Sequence, residues 1–449
     1  MTVRSVERET RLLINAGGLL RRVPSGLHRR YTDAVASRSR PAAMPSLSPE
    51  QFVHPPRYEN RVMIVGAGPQ GLHAAIMLVS VAGLDPESLL LVDREPGLLA
   101  HWRRVTSATG MRYLRSSSVH HVDVEPPSLR RFRSARADDY PRAYADPYHR
   151  PLLRLFDDHA RWAAERRGLS GRLRADDIVG IEPLEGGYRL NGRRSRYETD
   201  NLVLALGQGR PNRPDWSRAG PPGVPVRHLF DRDYDRREWR AAAADGVPIR
   251  VVGAGISALQ AALDLSGTAA AAVDVYAVHP PGIFQFDSDP GWIGPKLSGV
   301  FARTTDVRER RRIIRTARRP GSADPDTVAR FEDARRSGRL RFHRCDPDTL
   351  GPDILRSARR SGGRVLLATG FESGVPGGRM VSGLARDAGA PVDADGYPVP
   401  GPSLAWRPGL FVTGALAELE IGPPARNIAG ARRAAERICR AWVDADRSG

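Results

Sequence analysis

Short apolar runs and amphipathic stretches alternate from residue 61 onward. Residues 61–65 (RVMIV) have the length and composition of a buried strand. A glycine-rich turn follows, and helical spacing of apolar residues predicts a helix over about residues 70–82. Residues 88–92 predict the next strand, which ends at Asp93. This order of strand, helix and strand within about 30 residues is a β-α-β unit.

The same pattern begins again near residue 248. Residues 248–252 (PIRVV) predict a strand, and a second glycine-rich turn precedes a helix that continues to about Leu265. Residues 271–278 predict the strand after it. The chain therefore contains two β-α-β units that are far apart in sequence.

Other predicted elements lie between and after these units. An amphipathic helix is expected over residues 151–167, and a linker over the Pro- and Gly-rich residues 210–225. Short strands separated by turn residues are predicted over residues 178–181, 188–190, 197–199 and 202–206. Later strands are predicted over residues 364–368 and 410–414, and a helix after Pro424.

The composition is that of a soluble globular protein. The 449 residues are enough for two or three domains, and 41% are hydrophobic and 27% charged. No apolar run approaches the roughly 18 residues that a membrane span needs, so no membrane association is expected. Residues 1–58 are rich in Arg, Ser and Pro and predict a flexible basic N-terminal arm.

The formal net charge of +18 comes almost entirely from arginine, since Lys296 is the single lysine. Binding to nucleic acid or another polyanion is one interpretation. The arginines are scattered among acidic residues, which favours a general bias toward arginine and makes nucleic acid an unlikely partner. Cys345 and Cys439 form no CxxC pair, which excludes a redox-active dithiol and fits a cytoplasmic protein.

The first turn carries the sequence Gly66-Ala67-Gly68-Pro69-Gln70-Gly71, a GxGxxG motif between a strand and a helix. Its first glycine permits the tight turn, the second lets the backbone approach a pyrophosphate, and the third lets the helix pack against the strand. The helix N-terminus favours the phosphates, and Asp93 can accept hydrogen bonds from ribose hydroxyls. The motif therefore predicts a bound dinucleotide, FAD.

The second turn, Gly253-Ala254-Gly255-Ile256-Ser257-Ala258, has the permitted alanine at its third small position. Two such turns suggest one tightly held dinucleotide and one exchanged dinucleotide, NADPH or NADH. No acidic residue follows the next strand, so His279 or an arginine within residues 303–312 is the candidate for contacting the exchanged cofactor. Loss of nicotinamide binding at this turn is the alternative, because a motif alone does not secure binding.

These elements predict an α/β fold of two Rossmann-like dinucleotide-binding domains, with the NAD(P)H domain inserted into a discontinuous FAD domain. The FAD domain is assigned to residues 59–224 and 362–449, and the NAD(P)H domain to residues 225–361. No feature of the sequence indicates the oligomeric state.

The chain resembles two-dinucleotide flavoprotein monooxygenases: flavin-containing monooxygenases and, more closely, the lysine/ornithine N-monooxygenase-like group. The resemblance covers about residues 59–442. The segments that carry it are GAGPQGL (66–72), EPGLLAHW (95–102), LALG (204–207), GAGISAL (253–259), LATGF (367–371) and FVTGALAELEIGPPARNIAGAR (411–432). The FxGxxxHxxx(Y/F) signature of flavin-containing enzymes is not present as such, which favours the N-hydroxylating group.

This resemblance implies an NADPH- and O2-using monooxygenase that forms a flavin C4a-hydroperoxide and hydroxylates the nitrogen of an amine or amino acid. The residues it implies for FAD binding are Gly66, Gly68, Pro69, Gln70, Gly71, Asp93, Trp102, Met111, Leu114, Gly422 and Pro423. The residues it implies for NAD(P)H are Gly253, Gly255 and Ser257, with His279 added from its position. Trp102 and residues 111–115 are expected near the flavin ring, and Gly422 and Pro423 near its pyrimidine end.

The stretch 284–292 (FQFDSDPGW) combines two carboxylates with aromatic residues and a Pro-Gly turn. Asp287, Asp289 and Trp292 are therefore candidates for binding a cationic amine, and bracing of a loop at the domain junction is the alternative. The spacing of the histidines matches no metal site, so no metal is expected. The alternatives to monooxygenation are an NAD(P)H-linked flavin oxidase or dehydrogenase, and a basic flavoprotein that binds RNA or an acidic partner.

Overall fold

The structure is a computed structural model that describes residues 57–218 and 223–448. Its strands are β1 (Arg57–Val65), β2 (Leu89–Asp93), β3 (Tyr144–Ala145), β4 (Arg150–Pro151), β5 (Leu173–Ala175), β6 (Ile178–Leu184), β7 (Gly187–Gly192), β8 (Arg196–Leu204), β9 (Val226–His228), β10 (Ile249–Val252), β11 (Val273–Ala277), β12 (Gly282–Ile283), β13 (Ser322–Ala323), β14 (Leu340–Arg344), β15 (Arg364–Leu367), β16 (Ala405–Arg407) and β17 (Leu410–Val412).

The helices are α1 (Pro69–Ser80), α2 (Ala100–Ala108), α3 (Ser128–Ser134), α4 (Leu153–Glu165), α5 (Asp215–Arg218), α6 (Arg236–Ala244), α7 (Ile256–Ser266), α8 (Pro295–Arg303), α9 (Val307–Ala317), α10 (Pro325–Arg336), α11 (Leu350–Ser361), α12 (Arg379–Asp387), α13 (Glu418–Ile421) and α14 (Ile428–Ser448). None of the described helices is both long and apolar enough to cross a lipid bilayer.

The first sheet has the strand order β16-β17-β8-β1-β2-β5, and it is parallel from β17 to β5. Val62, Met63 and Ile64 of β1 are at most 1% exposed. Apolar residues on both faces are typical of a parallel strand that is covered on both sides. Helix α1 packs on β1, and α14 packs on α1, where the thiol of Cys439 lies 3.7 Å from the carbonyl oxygen of Met77. We call this sheet and its helices the first unit.

Antiparallel pairing extends the first sheet through β6, β7 and β8. The sequence predicted two strands over residues 197–199 and 202–206, whereas the structure has the single strand β8. The pairing of β8 with β1 continues through the Asp-Asn dipeptide at residues 200–201, where Asn201 lies opposite Val62. A long neighbouring strand therefore overrides a local turn signal.

The second sheet has the strand order β14-β11-β10-β15-β9, with all neighbouring strands parallel. Helix α7 follows β10 and buries Ala258, Leu259 and Ala262 against this sheet. The second β-α-β unit thus forms where the sequence predicted it. We call this sheet and its helices the second unit.

The second sheet is an insertion in the first unit, as the sequence predicted, because the chain passes from β8 to β9 and returns to β16 and β17 after β15. The predicted return at residue 362 is wrong, since β15 pairs with β10 and β9 of the second sheet. The outward and return connections run side by side, with Asn212 N donating to Gly370 O at 2.9 Å. The predicted arm, residues 1–58, lies outside the described residues except for the first two residues of β1.

Candidate cofactor sites and the junction between them

The first glycine turn has one glycine that faces open space and two that allow close backbone contact. A Cβ on Gly66, which has a φ of +109°, would collide with the carbonyl oxygen of Ala205 at the end of β8. A Cβ on Gly71 would collide with the carbonyl oxygen of Gly66. Gly68 has no heavy atom within 4 Å of an added Cβ. The turn is therefore closely packed at Gly66 and Gly71, and it is open at Gly68, where a pyrophosphate would approach.

The helix that follows this turn leaves its first N–H groups available. Gly68 is the extended N-cap of α1 and supplies no side-chain cap, and Pro69 occupies the first helical position. Unpaired N–H groups and the helix dipole favour an anion at this end. The geometry thus fits the diphosphate of a dinucleotide.

Asp93, at the end of β2, is fixed by the turn itself. Its carboxylate accepts hydrogen bonds from Ala67 N at 2.8 Å and from Glu95 N at 2.9 Å. Each carboxylate oxygen keeps a further lone pair for another donor. The backbone of the turn thus sets the orientation of the Asp93 carboxylate. Contact between this carboxylate and a ribose stays a prediction.

Gln70 links the first turn to the C-terminal segment. Its amide oxygen accepts from Thr413 Oγ1 at 2.7 Å, and its amide nitrogen donates to Ala425 O at 3.0 Å and Asn427 O at 3.2 Å. The sequence predicted Gln70 as a cofactor residue. Its side chain holds together two parts of the site that are more than 340 residues apart, and contact between Gln70 and the cofactor stays a prediction.

The C-terminal segment brings Gly422 and Pro423 to the junction between the units. Pro423 is buried, and Gly422 has a φ of +86° and lies against the ring of Phe301 on α8, 3.3 Å from the position of a Cβ. Asn427 Oδ1 accepts from Gly430 N at 2.9 Å and caps the start of α14. The approach of this segment to a flavin ring stays a prediction.

The residues predicted near the flavin ring belong to the packing of the first unit. Trp102 Nε1 donates to Asp157 Oδ1 at 3.0 Å, and its ring centroid lies 5.7 Å from that of Phe156. Burial raises the pKa of Asp157 to about 6. Leu114 is 2% exposed, and Met111 packs against the same core. Their contact with a ring stays a prediction.

The second glycine turn repeats the geometry of the first. Gly253 has a φ of +134°, and a Cβ there would meet the carbonyl oxygen of Ala368 at the end of β15. A Cβ on Gly255 would lie 3.5 Å from the Cα of Gly321, which the sequence did not single out. Ser257 is in the first turn of α7 and is half-buried. The turn therefore also fits a dinucleotide.

The residues proposed to select the nicotinamide cofactor separate into two groups. His279 is exposed just after β11. Arg310 and Arg311 of α9 point to carboxylates of the C-terminal part, with Arg310 Nη1 2.9 Å from Leu419 O. Arg344 of β14 is exposed opposite Ala277, the last residue of β11 and two positions before His279. The sequence did not single out Arg344, because only strand pairing brings it to the end of β11.

Arg115 of the first unit holds the loop 284–292 of the second unit. It donates to Phe284 O at 2.6 Å, Gln285 O at 2.8 Å and Ser322 Oγ at 3.1 Å. Burial lowers the pKa of the Arg115 guanidinium. The sequence placed Arg115 near the flavin, and its partners could not be predicted from spacing, since they lie about 170 to 207 residues away.

The three substrate candidates in this loop have different surroundings. Asp289 accepts from Gly291 N at 2.7 Å and caps a short helical turn. The ring of Trp292 packs edge-on against Phe301 with centroids 6.2 Å apart. The carboxylate of Asp287 interacts electrostatically with Arg115 and with Arg318 of the second unit. The contacts of Asp289 and Trp292 are therefore those expected of residues that brace the loop.

A buried ion network closes the junction on the C-terminal side. Glu418 pairs with Arg311 of α9 and, at 2.7 Å, with Arg426. Arg426 also donates to the Tyr397 hydroxyl at 3.1 Å. Burial, with Arg426 nearby, lowers the pKa of Arg318 beside this network. The network joins the second unit to the segment that Gln70 holds against the first turn.

Comparison with protein families is consistent with this architecture. Residues 60–287, just over half of the chain, match the family described as pyridine nucleotide-disulphide oxidoreductase. The chain belongs to this family. It is accordingly a flavin-dependent oxidoreductase, with FAD and a nicotinamide dinucleotide as its cofactors. A search of curated proteins found no matching sequence.

Solved structures with a similar fold include three amine-modifying enzymes. The cadaverine monooxygenase of desferrioxamine biosynthesis from Erwinia amylovora, bound to FAD, is 15% identical with a TM-score of 0.63, over 85% of this chain and 94% of that one. The ornithine N-hydroxylase from Kutzneria sp. 744, with reduced FAD, NADP+ and L-ornithine, is 17% identical with a TM-score of 0.61, over 87% and 100%. L-lysine 6-monooxygenase from Pseudomonas syringae is 19% identical with a TM-score of 0.61, over 86% and 99%. At these identities the likeness concerns the fold.

Proposed function

We propose that this oxidoreductase is a monooxygenase that uses NAD(P)H and O2 to hydroxylate the nitrogen of a small amine or amino acid. The observation that carries the proposal is the pairing of two dinucleotide turns in one chain with a fold similar to that of three enzymes whose names specify primary amines. Cys345 follows β14 and Cys439 is buried beneath α1, so neither belongs to a glycine turn. A protein dithiol as electron acceptor is therefore not favoured.

The protein has three tasks in this reaction. Bound FAD, once reduced by NAD(P)H, supplies the oxygen activation. The two glycine turns hold and orient the dinucleotides, and the Gln70 bridge fixes the C-terminal segment beside the first turn. Arg115 anchors the loop 284–292, and the role we propose for this loop is to limit access of water to the reacting groups.

The charges at the junction favour an amino acid over a simple diamine as substrate. Asp287 can bind an ammonium group, and the guanidinium of Arg318, which is desolvated close to Asp287 and Glu418, can bind a carboxylate. A zwitterion complements this mixture of charges, whereas a diamine leaves the guanidinium without a new partner.

Product analysis tests the reaction. The FAD-loaded enzyme is incubated with NADPH, O2 and either L-ornithine, L-lysine or cadaverine, and mass spectrometry follows the gain of one oxygen atom. The proposal predicts a hydroxylated amine with at least one substrate. Conversion of all consumed O2 to hydrogen peroxide with every amine would instead identify an oxidase. A colourless protein that cannot be reconstituted with FAD would contradict flavin binding as well.

Asp287 and Asp289 provide a matched pair of variants for substrate binding. Asp287→Asn removes the charge that interacts with Arg115 and Arg318, and we expect KM for the amine to rise about tenfold, as loss of a charge-assisted hydrogen bond implies. Asp289→Asn keeps a good helix-capping residue and should leave KM within about twofold. The rate of flavin reduction by NADPH without substrate should be unchanged in both. Equal effects of the two substitutions on KM would remove Asp287 from the substrate site.

Arg344 is the residue proposed to recognise the 2′-phosphate of NADPH. It is exposed at the carboxyl end of β14, beside the end of β11, where a Rossmann-like fold binds the adenosine ribose. Arg344→Ala should raise the Kd for NADPH about tenfold and leave that for NADH unchanged. A parallel change for both nucleotides would contradict this assignment.

A further inference from the structure

An arginine-lined cavity of about 230 Å³ lies between the two units, apart from both glycine turns. The first unit contributes Arg112, from the segment after α2, and Arg150 of β4. The second unit contributes Arg240 of α6 and Arg330 of α10. Four guanidinium groups from separate elements therefore converge on one space.

The cavity is remote from the nicotinamide turn. Its α7 residues begin at Gln260 and include Asp264, which is nine residues beyond Gly255. At about 1.5 Å per residue, this corresponds to roughly 13 Å along the helix axis. Gly110 of the first unit lies against α7, since an added Cβ there would be 2.9 Å from the Cβ of Asp264. The space is thus a separate site at the junction.

The positive charges exceed the negative charges in the cavity wall. Two aspartates face the four arginines, so the wall carries an excess of two positive charges. Asp264 is already paired with Arg240 at 2.7 Å and with Arg236. Arg150 is paired with the buried Asp324 at 3.3 Å and lies 3.6 Å from Asp326. Adding the partners Arg236 and Asp324 leaves the excess of two positive charges unchanged. Arg112 and Arg330 have no carboxylate partner within residues 57–218 and 223–448. These two cations are available to an anion.

Polar atoms in the wall also lack partners. Arg150 is 5% exposed, and its Nε has no hydrogen-bond partner in the described part of the chain. The same is true of the amide oxygen of Gln260. Buried polar groups in native proteins are nearly always hydrogen-bonded. A donor-rich wall that also offers the Gln260 amide oxygen as an acceptor fits an anion that carries a hydroxyl or acid proton.

We propose that this cavity binds a compact polyanion, a small phosphate- or carboxylate-bearing molecule with at least two negative charges. Guanidinium groups match such oxygens in a bidentate manner. A volume of 230 Å³ lies below the roughly 300–1,000 Å³ of pockets for larger ligands, which excludes a whole dinucleotide. Because both units contribute, the anion bridges them.

Calorimetric titration tests the site without any turnover, so its outcome is independent of the proposed reaction. Pyrophosphate and, separately, citrate are titrated into FAD-loaded protein with saturating NADP+, at constant ionic strength set with chloride. Saturable binding of one molecule per chain is expected. Binding of pyrophosphate alone identifies a phosphate site, and binding of citrate alone a carboxylate site. No saturable binding of either probe overturns the proposal.

Three variants distinguish binding in the cavity from general attraction to the positive charge of the protein. Arg112→Ala and Arg330→Ala each remove an exposed cation of the cavity wall that has no carboxylate partner in the described chain, so folding should be unaffected. Arg359→Ala removes the same charge from an exposed position on α11. Each cavity variant should weaken binding about tenfold, and the control less than twofold. Native affinity in both cavity variants, or equal weakening in the control, overturns the proposal.

Discussion

Replacement of His73 by leucine is expected to reduce the acid sensitivity of the fold. His73 lies in α1, two residues after Gly71 of the first glycine turn, and is 0% exposed. Within the described chain, neither of its ring nitrogens has a hydrogen-bond partner. Burial is the main cause that lowers its pKa to about 3, and Arg432 and His121 add to the effect. His73 therefore stays neutral in the folded protein at every pH at which the enzyme would be used.

The magnitude follows from the difference in protonation between the two states. A histidine in the unfolded chain has a pKa of about 6.5 and takes up a proton as the pH falls, whereas folded His73 does not. The unfolded state then binds more protons, so the free energy of unfolding decreases with decreasing pH. Between about pH 7.5 and about pH 5 this loss amounts to roughly 2 kcal/mol. His73→Leu removes it, and also removes two buried nitrogens without partners.

Thermal unfolding of the FAD-loaded protein at several pH values measures this effect. The Tm of the leucine variant should fall less than that of the native protein between about pH 7.5 and about pH 5, by roughly 2 °C for a chain of this size. His279→Ala, at an exposed position, is the control and should follow the native protein. An unchanged pH slope in the leucine variant would refute the assigned pKa. A large loss of stability at pH 7.5 would mean that the nitrogens are paired.

Four further substitutions test the cofactor turn, the junction and the packing of the first unit. Gly71→Ala should abolish flavin binding, because the added Cβ collides with the backbone of the turn. Gly68→Ala should fold normally and weaken FAD binding. The flavin-to-protein ratio measures binding, and circular dichroism measures folding. Glu418→Gln leaves the buried Arg311 without part of its charge partner and should cost about 3 kcal/mol in urea unfolding, and an unchanged midpoint would contradict this. Asp157→Asn should raise Tm at neutral pH but not near pH 4. Because the pKa of Asp157 is raised to about 6 in the folded protein, ionisation of this carboxyl group destabilises the native fold as the pH rises through that value.

The glycine turns could be predicted from sequence because their determinants are local. An apolar run, three small residues at fixed spacing and a following helix lie within about 20 residues, and each glycine has a steric reason at its own position. The inserted second unit could be predicted because the same motif occurs a second time in the chain. The boundary near residue 362 was wrong because a short apolar strand such as β15 fits either sheet by its composition, and only its pairing with β10 decides.

The contacts that hold the sites together could not be predicted, because they join residues that are distant in sequence. The side-chain amide of Gln70 forms hydrogen bonds with the C-terminal segment, more than 340 residues away. Gly321 lies beside Gly255, and Arg344 lies next to the end of β11, only through tertiary packing and strand pairing. No spacing rule predicts such contacts from a single chain.

The loop 284–292 illustrates why conspicuous polar residues do not by themselves identify a substrate site. Asp289 stands before a Pro-Gly turn, where a carboxylate caps the backbone whether or not a ligand is near. Asp287 stands two residues earlier in the same loop, and within the described chain its carboxylate has electrostatic neighbours but no hydrogen-bonded partner. A capping carboxylate can be replaced by asparagine at little cost, whereas a carboxylate that binds an ammonium group cannot. The comparison of the two Asp→Asn substitutions therefore separates bracing from substrate binding more directly than a deletion of the loop would.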